Sequence, residues 1–478
     1  MKGVAELEDR VRRCRPALED RGQGHLLRWW HELTLEQRHR LLTETEAIPW
    51  DLLDPVIPTH VLRRPTRALP AHLAPADVLP CIPLPGQEHR HRQAAERGRE
   101  LIRAGRVAAL TVAGGQGTRL GFDGPKGCLQ VTPVGAKTLF QLFAETIRAT
   151  RDRFGTAIPW YVMTSPENHA QTLAYLRRER FFGLPEGDVV LFQQSVLPLF
   201  SFDGSILMTS RHTLALGPDG HGGSLKALVG SGALNDMKAR GVTLISYFQV
   251  DNPLVKPIDP LFIGLHAETG AEMSVKVTPK VDDLERVGNV CLADGKVTVI
   301  EYSELPLELA RARRPDGRRL LDAANLAIHL IDVAFVERVI GRSFQMPFRR
   351  ADKAVAHLDP GGTLVQAAEP NAVKLETFVF DVLPLARFPL VFQVERAEEF
   401  SPIKNALGLD SLETTRRDQI RRACRWLEAA GVLVPRRPDG APDVTIAIAP
   451  SFALDASDVI NRRANLPALR PGDALLLE

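Results

Sequence analysis

Residues 110–126, Leu-Thr-Val-Ala-Gly-Gly-Gln-Gly-Thr-Arg-Leu-Gly-Phe-Asp-Gly-Pro-Lys, hold the groups needed to wrap a nucleoside triphosphate. Gly114, Gly115 and Gly117 follow an apolar run, and Arg119 and Lys126 follow the glycines. Glycine lets the main chain approach phosphate oxygens and aim N–H groups at them. The two cations then meet the phosphate charge. Neither common phosphate loop is present. A Walker loop needs Gly-x-x-x-x-Gly-Lys-Ser/Thr, and the dinucleotide fingerprint Gly-x-Gly-x-x-Gly meets Leu120 at its third glycine. A nicotinamide-dinucleotide oxidoreductase therefore loses its fingerprint and leaves Arg119 and Lys126 without a role.

The elements around this loop alternate. Val107–Val112, Trp160–Thr164, Val189–Phe192 and Thr243–Val250 read as short apolar strands. Thr138–Thr150, His169–Arg180 and Leu225–Lys238 read as helices between them. Such alternation predicts a parallel, doubly wound α/β sheet, whose ligands sit beyond the carboxyl ends of the strands. Chemistry is then expected after Val112, Phe192 and Val250. Residues 1–50 read as helices, with Thr34 and Gln37 forming a capping box. The proline-rich stretch 51–85 reads as an extended connector, followed by a helix over Ala94–Ala104 that Gly105 ends. Past about residue 385 the pattern weakens to a helix over Ile420–Ala430 and a strand over Val444–Ile448. This gives three segments: an N-terminal helical segment and connector (1–104), a catalytic domain (105–385) and a small C-terminal domain (386–478).

Composition narrows the class. The net charge of +2 gives no pull toward nucleic acid or anionic membrane. The five cysteines are scattered and form no Cys-x-x-Cys pair, which argues against a zinc site or disulfide framework. The N-terminus is charged and no apolar run is long enough to span a bilayer, so a cytoplasmic protein is expected. Length alone allows about two to four domains.

The loop resembles the signature of nucleotidyltransferases that make nucleotide sugars, Gly-Gly-x-Gly-Thr-Arg-Leu-Gly-x(3)-Pro-Lys. Its fixed positions are met by Gly114, Gly115, Gly117, Thr118, Arg119, Leu120, Gly121, Pro125 and Lys126. Further blocks follow in order: Phe192-Gln193-Gln194 with Leu197-Pro198; Pro218-Asp219-Gly220-His221-Gly222-Gly223; Val250-Asp251-Asn252 with Lys256; Glu301-Tyr302-Ser303-Glu304; Asn325 with His329; Pro370 to Asp381; and Glu399 to Ala406. Over roughly residues 25–460 the chain resembles the UDP-N-acetylhexosamine pyrophosphorylases, UDP-sugar pyrophosphorylases of the eukaryotic type (UDPGP type 1).

The resemblance implies a Rossmann-like nucleotidyltransferase fold, a glycosyltransferase-A-like doubly wound mixed sheet with an N-terminal helical segment and a small C-terminal β-containing domain. It implies a uridylyltransferase that converts UTP and N-acetylglucosamine 1-phosphate to UDP-N-acetylglucosamine and pyrophosphate. By the same resemblance, Gly114, Gly115, Gln194, Gly220 and His221 hold the nucleotide, and Arg119, Lys126 and Lys404 act on the phosphates. Gly288, Glu301, Asn325 and Lys374 meet the sugar. Asp251 and Asp381 bind Mg2+, or Mn2+ in its place. Partners are UTP and a sugar 1-phosphate, with no nucleic acid and no membrane; monomer and weak dimer both stay open.

The chain also departs from that pattern. Asp322-Ala323-Ala324-Asn325 stands where relatives making UDP-N-acetylglucosamine usually show Asn-Ala-Gly-Asn, which places a methyl group and a charge beside the expected sugar pocket. His221 stands where asparagine is usual, Arg349 where histidine is usual, and Cys128 where methionine is common. The sugar is therefore open to alternatives: glucose or galactose 1-phosphate, N-acetylgalactosamine 1-phosphate, or a broad UDP-sugar pyrophosphorylase. A catalytically silent nucleotide-sugar-binding protein is the non-enzyme alternative, although Arg119, Lys126 and Asp251 are all present.

Overall fold

The computed structural model describes residues 2–65, 69–341 and 345–478. The chain forms two compact units, each assembled from three stretches. The smaller gathers Met1–Leu69, Gln194–Gly223 and Gln345–Val379; the larger gathers Pro70–Gln193, Ser224–Phe344 and Phe380–Glu478. The units interleave along the chain, so their limits fall elsewhere than residues 104 and 385.

The larger unit is built on α1 (Glu88–Arg103), β1 (Val107–Val112), α2 (Leu139–Phe154), β2 (Trp160–Thr164), α3 (His169–Arg178), β3 (Val189–Gln193), β4 (Leu244–Gln249), α4 (Pro260–Thr269), β5 (Met273–Pro279), β6 (Asn289–Ala293), β7 (Lys296–Ile300), β8 (Ala323–Asp332), β9 (Leu390–Gln393) and α5 (Leu412–Ala429). Its main sheet runs β9-β5-β8-β4-β1-β2-β3. Strands β4, β1, β2 and β3 are parallel neighbours, as the alternation predicts. Strand β8 enters antiparallel to both β4 and β5, which makes the sheet mixed. The near-continuous burial of β1 and β2 suits strands covered on both faces.

Local signals explain the helices. Thr138 caps α2 by accepting the Gln141 N–H, and Gly155 closes it at φ 65°. Gly105, at φ 67°, follows the end of α1. The helix expected over 225–238 is two helices, Gly223–Gly230 and Ala233–Ala239, because Gly232 turns the chain at φ 80°. Val379–Leu385 forms a 3-10 helix. The connector is extended only in its second half, where Leu73–Pro75 pairs with β6 and Leu79–Pro80 with β9. Proline tolerates such edge positions because its nitrogen has no proton to donate. The first half instead winds into short turns at Trp50–Leu53 and Ile57–Val61.

Helices α1 and α4 cross backbone to backbone. A methyl group at Gly98 would collide with the Pro260 carbonyl, and one at Gly264 with the Ala94 carbonyl. Neither neighbour can swing aside. Gly264→Ala is therefore expected to destabilise the protein by about 3 kcal/mol, the upper part of the usual overpacking range. Denaturant midpoints check this, and a variant as stable as its parent contradicts it.

Beyond α5, Thr445–Ile448 pairs in parallel with Ala474–Leu477, and both cover a separate core of Cys424, Leu427, Ile446 and Val459. The smaller unit packs its N-terminal helices, Lys2–Glu19 and Leu35–Glu46, on Phe200, Ile206, Val373 and Leu375. The predicted capping box is formed, with Thr34 accepting from Gln37 N and Gln37 accepting from Thr34 N. A three-stranded sheet of Arg349–Lys353, Ala372–Glu376 and Phe200–Ser201 completes it. Among the described residues no helix is long and apolar enough to cross a membrane, and all five cysteines are free.

Candidate active site

The glycine loop leaves the sheet at the carboxyl end of β1. Val250 N donates to the Val112 carbonyl, so the loops after β1 and β4 start side by side (3.0 Å). Within the loop, Gly117 N donates to the Gly124 carbonyl and Lys126 N to the Gly115 carbonyl (2.9 and 3.1 Å). These bonds bend the chain back so that Lys126 returns beside the glycines. Gly114 is buried, whereas Gly115 is exposed and a methyl group there would meet nothing within 4 Å. Open space over an exposed glycine suits a ligand lying against the main chain. Gly117 has an internal reason: a Cβ there would stand 2.6 Å from the Phe122 ring. Asn168, wholly buried, donates to the carbonyls of Ala113 (2.9 Å) and Gly115 (3.3 Å) and braces the loop from below. Arg119 projects from the 3-10 turn Thr118–Leu120, is exposed and makes no ion pair with a described residue.

Lys126 faces Asp251, with Nζ 3.7 Å from Oδ2 and both side chains 16% exposed. The chain carrying Lys404 is tied to the same spot. Ile403 N donates to the Asp251 carbonyl (2.9 Å), Ser401 N to Asn252 Oδ1 (3.1 Å), and Asn252 Nδ2 to the Glu399 carbonyl (2.7 Å). The Asp410 carbonyl accepts from both Lys404 N (2.7 Å) and Asn405 N (3.0 Å), closing a tight turn. Burial raises the Asp410 carboxyl above the usual range, partly offset by the nearby Lys404 ammonium. Gly114, Gly115, Lys126, Asp251 and the Lys404 turn thus share the carboxyl edge of the parallel strands.

A second cluster forms in the same unit. Asn325 N donates to the Gly288 carbonyl (2.8 Å). A Cβ at Gly288 would lie 3.0 Å from Glu301 Oε1 and 3.5 Å from Asn325 Cβ. Gly288, Glu301 and Asn325, separated in sequence, are therefore neighbours. Asn325 is 8% exposed, and its Oδ1 accepts from Ala327 N across a kink where Ala327 takes φ 55°. Ala324 pairs with Thr278 and Asn289 and is wholly buried. Successive residues of a strand face opposite sides, so its methyl group points away from the Asn325 side. The expectation of a methyl beside the sugar pocket is corrected on that ground. Asp322 accepts from Arg319 (3.2 Å).

In the smaller unit, Val196–Pro198 and Leu216–Pro218 form an antiparallel ribbon with Val196 opposite Pro218. Asp219 N donates to the Ser195 carbonyl, so the register continues and sets Gln194 opposite Gly220 at one end. Gln194 is buried. Gly220, at φ 86°, abuts the Thr377 main chain, and a Cβ there would stand 2.7 Å from Thr377 N. His221 stacks on Phe378 at 5.0 Å and 6°, and its Nδ1 accepts from Val379 N (3.2 Å). The Arg349 guanidinium lies 4.6 Å from the same ring. Two of the departures noted in the sequence therefore meet on one phenylalanine. Lys374 also lies here, donating to Glu376 (2.6 Å), while the other expected sugar residues lie in the larger unit.

The sequence profile described as UTP–glucose-1-phosphate uridylyltransferase, UDPGP, matches residues 82–416. The chain belongs to this family. Within the UDPGP family it is similar to the human UDP-N-acetylhexosamine pyrophosphorylase-like protein 1, 38% identical over 458 residues, 90% of this chain and 89% of that protein. It is also similar to the UDP-N-acetylglucosamine pyrophosphorylase of Saccharomyces cerevisiae, 35% identical over 435 residues, 86% of this chain and 90% of the relative. Among solved structures, the uridine diphosphate N-acetylglucosamine pyrophosphorylase of Trypanosoma brucei, in complex with inhibitor, superposes with a TM-score of 0.80 at 25% identity over 98% of each chain.

Asp381, the other aspartate expected to bind the divalent ion, sits in the first turn of the 3-10 helix Val379–Leu385. Among the described residues no group of three or more His, Cys, Asp or Glu side chains could hold a metal. Sequence reasoning also missed Asn168 and Asn252, whose side chains hold main chain in place. The available signals were positional: Asn168 immediately precedes α3, and Asn252 directly follows the strand-end Asp251.

Proposed function

We propose that this uridylyltransferase-family enzyme transfers the uridylyl group of UTP to N-acetylglucosamine 1-phosphate. The observation that carries the reaction class is the meeting of Lys126, Asp251 and the Lys404 turn beside the exposed Gly115 main chain. A phosphate oxygen of the sugar phosphate attacks the α-phosphorus of UTP in line. The bond to the β-phosphate bridging oxygen breaks, and its electron pair leaves with pyrophosphate. Such a reaction needs positioning and charge stabilisation more than covalent help. Gly114 and Gly115 bring main chain against the nucleotide. Lys126 stabilises charge at the α-phosphate, Arg119 meets the departing phosphates, and Lys404 draws in the sugar phosphate. Gln194 and Gly220 read uracil, for which an amide and a main-chain group supply both donor and acceptor.

Asp251 fits Mg2+. It is a hard oxygen donor at a strand end, and the sparse carboxylate supply suits an ion that takes its remaining ligands from phosphate and water. Bound there, the ion would neutralise phosphate charge.

The sugar assignment rests on Gly288, Glu301 and Asn325 lying together: a carboxylate accepts from sugar hydroxyls, and an amide meets an N-acetyl group. The names of the relatives agree with it. Glucose 1-phosphate is the second reading, favoured by the family description. Pyrophosphate release with a panel of sugar 1-phosphates separates them. N-acetylglucosamine 1-phosphate is expected to give the highest kcat/KM, and preference for glucose 1-phosphate overturns the choice. Gly288→Ala puts a methyl 2.7 Å from Val299 Cγ1 and 3.0 Å from Glu301 Oε1. It is expected to raise the KM for sugar phosphate about tenfold, the usual effect of a methyl-sized change, with the KM for UTP unchanged. Equal changes in both would remove these residues from the sugar side.

A further inference from the structure

We propose that a cavity behind the Asp251 loop is an effector site for a small amphiphilic anion, one anionic group on an apolar body. The cavity encloses about 420 Å3 within the larger unit and is lined by α1, α2, α5, residues 253–261 and residues 447–455. Phe143, Val255, Ile258 and Trp426 give it apolar walls, and Lys256 and Arg422 line it as cations.

The charges around it do not balance. Lys276, wholly buried, donates to Asp259 and Glu399 (2.6 Å each), and Lys256 Nζ stands 3.5 Å from the other Glu399 oxygen. Two ammonium groups thus face two carboxylates. Arg425 neutralises Glu398 (2.7 Å). Arg422 is left over. Its Nη1 donates only to the carbonyls of Leu254 (3.2 Å) and Glu398 (3.1 Å), its guanidinium lies 5.1 Å from the Trp426 ring, and among the described residues it has no carboxylate within ion-pair distance. Burial pulls its pKa down from the usual value to about 10 despite the field of Glu398. A half-buried cation without a counter-charge favours an anion that can reach it. The other arginines of the cavity already have acids: Arg99 and Arg103 share Glu96, and Arg153 has Asp455 and Asp458. An anion in the cavity is therefore directed to Arg422, with Lys256 beside it.

The position couples to catalysis. Arg422 holds the carbonyl of Leu254, three residues past Asp251, and that of Glu398, on the segment leading to Lys404. Asn252 and Glu399 join those two segments. An anion that draws Arg422 from these carbonyls changes the support of both. Occupancy is expected to change turnover, a readout that rests on the proposed uridylyl transfer; binding does not depend on it.

The probe is 1-naphthalenesulfonate, titrated calorimetrically into the full chain with and without saturating UTP. One site per chain is expected, retained with UTP present. It should weaken at least tenfold in Arg422→Gln and in Ala95→Trp, which fills the cavity from α1 without touching the charges. The probe should change pyrophosphate release at least twofold in the parent and not in Ala95→Trp, whose basal rate stays unchanged. No binding, displacement by UTP, binding undiminished in the variants, or unchanged turnover of an active parent overturns the proposal. A parent that binds the probe but never releases pyrophosphate overturns the uridylyl-transfer reading instead.

Discussion

Replacing Lys126 with alanine is expected to lower kcat about a thousandfold, corresponding to about 4 kcal/mol, the upper range for removal of one preorganised charge from a reacting centre. The fold should not suffer. The loop is closed by main-chain bonds of Lys126 N, Gly117 N and the Gly115 carbonyl, which alanine keeps. The ion pair with Asp251 is loose at 3.7 Å and partly open to solvent, so its loss accounts for less than about 1 kcal/mol. A drop of three orders of magnitude therefore cannot come from the pair alone. Single-turnover pyrophosphate release checks the effect, with Lys126→Arg expected to recover part of the rate. Activity within tenfold of the parent would remove Lys126 from the reaction.

Asp251→Asn is the second large effect. The amide keeps the size of the carboxylate, and the Asp251 carbonyl still accepts from Ile403 N. What changes is one negative charge and one hard oxygen. If Asp251 holds the divalent ion, kcat should fall about a hundredfold or more, and the Mg2+ concentration for half-maximal rate should rise sharply. If Asp251 serves only to pair with Lys126, the rate should hardly change and the Mg2+ dependence not at all. Titrating Mg2+ against the rate in both proteins decides between these outcomes. Chelation of divalent ions should silence the parent, and full activity in a chelator contradicts the assignment.

Much of the larger unit was legible because its signals are local. The buried runs at 107–112 and 160–164 are long enough to specify central strands, and Thr138 and Gly105 mark helix ends by their own chemistry. The antiparallel entry of β8 was not legible from alternation, because a strand's direction depends on where the chain crosses over. Nor was the interleaving of the two units, since the segments that assemble the smaller one lie far apart in sequence. At the site, the glycine loop announced itself, while the neighbourhood of Gly288, Glu301 and Asn325 came only through family resemblance. Their meeting depends on the pairing of β6 with both β7 and β8. Ala324 shows the opposite error: a substitution adjacent in sequence to Asn325 faces the other side of the strand. The network of Lys276, Asp259 and Glu399 was also hidden, because nothing in the sequence distinguishes a buried lysine from an exposed one.

The most direct test follows phosphorus. Purified protein with equimolar UTP, N-acetylglucosamine 1-phosphate and Mg2+ is observed by 31P NMR. Uridylyl transfer predicts loss of the UTP and sugar-phosphate resonances together, with a UDP-sugar diphosphate and free pyrophosphate growing in equal amounts. Unchanged UTP, or its breakdown to UDP and inorganic phosphate with the sugar phosphate intact, would contradict it.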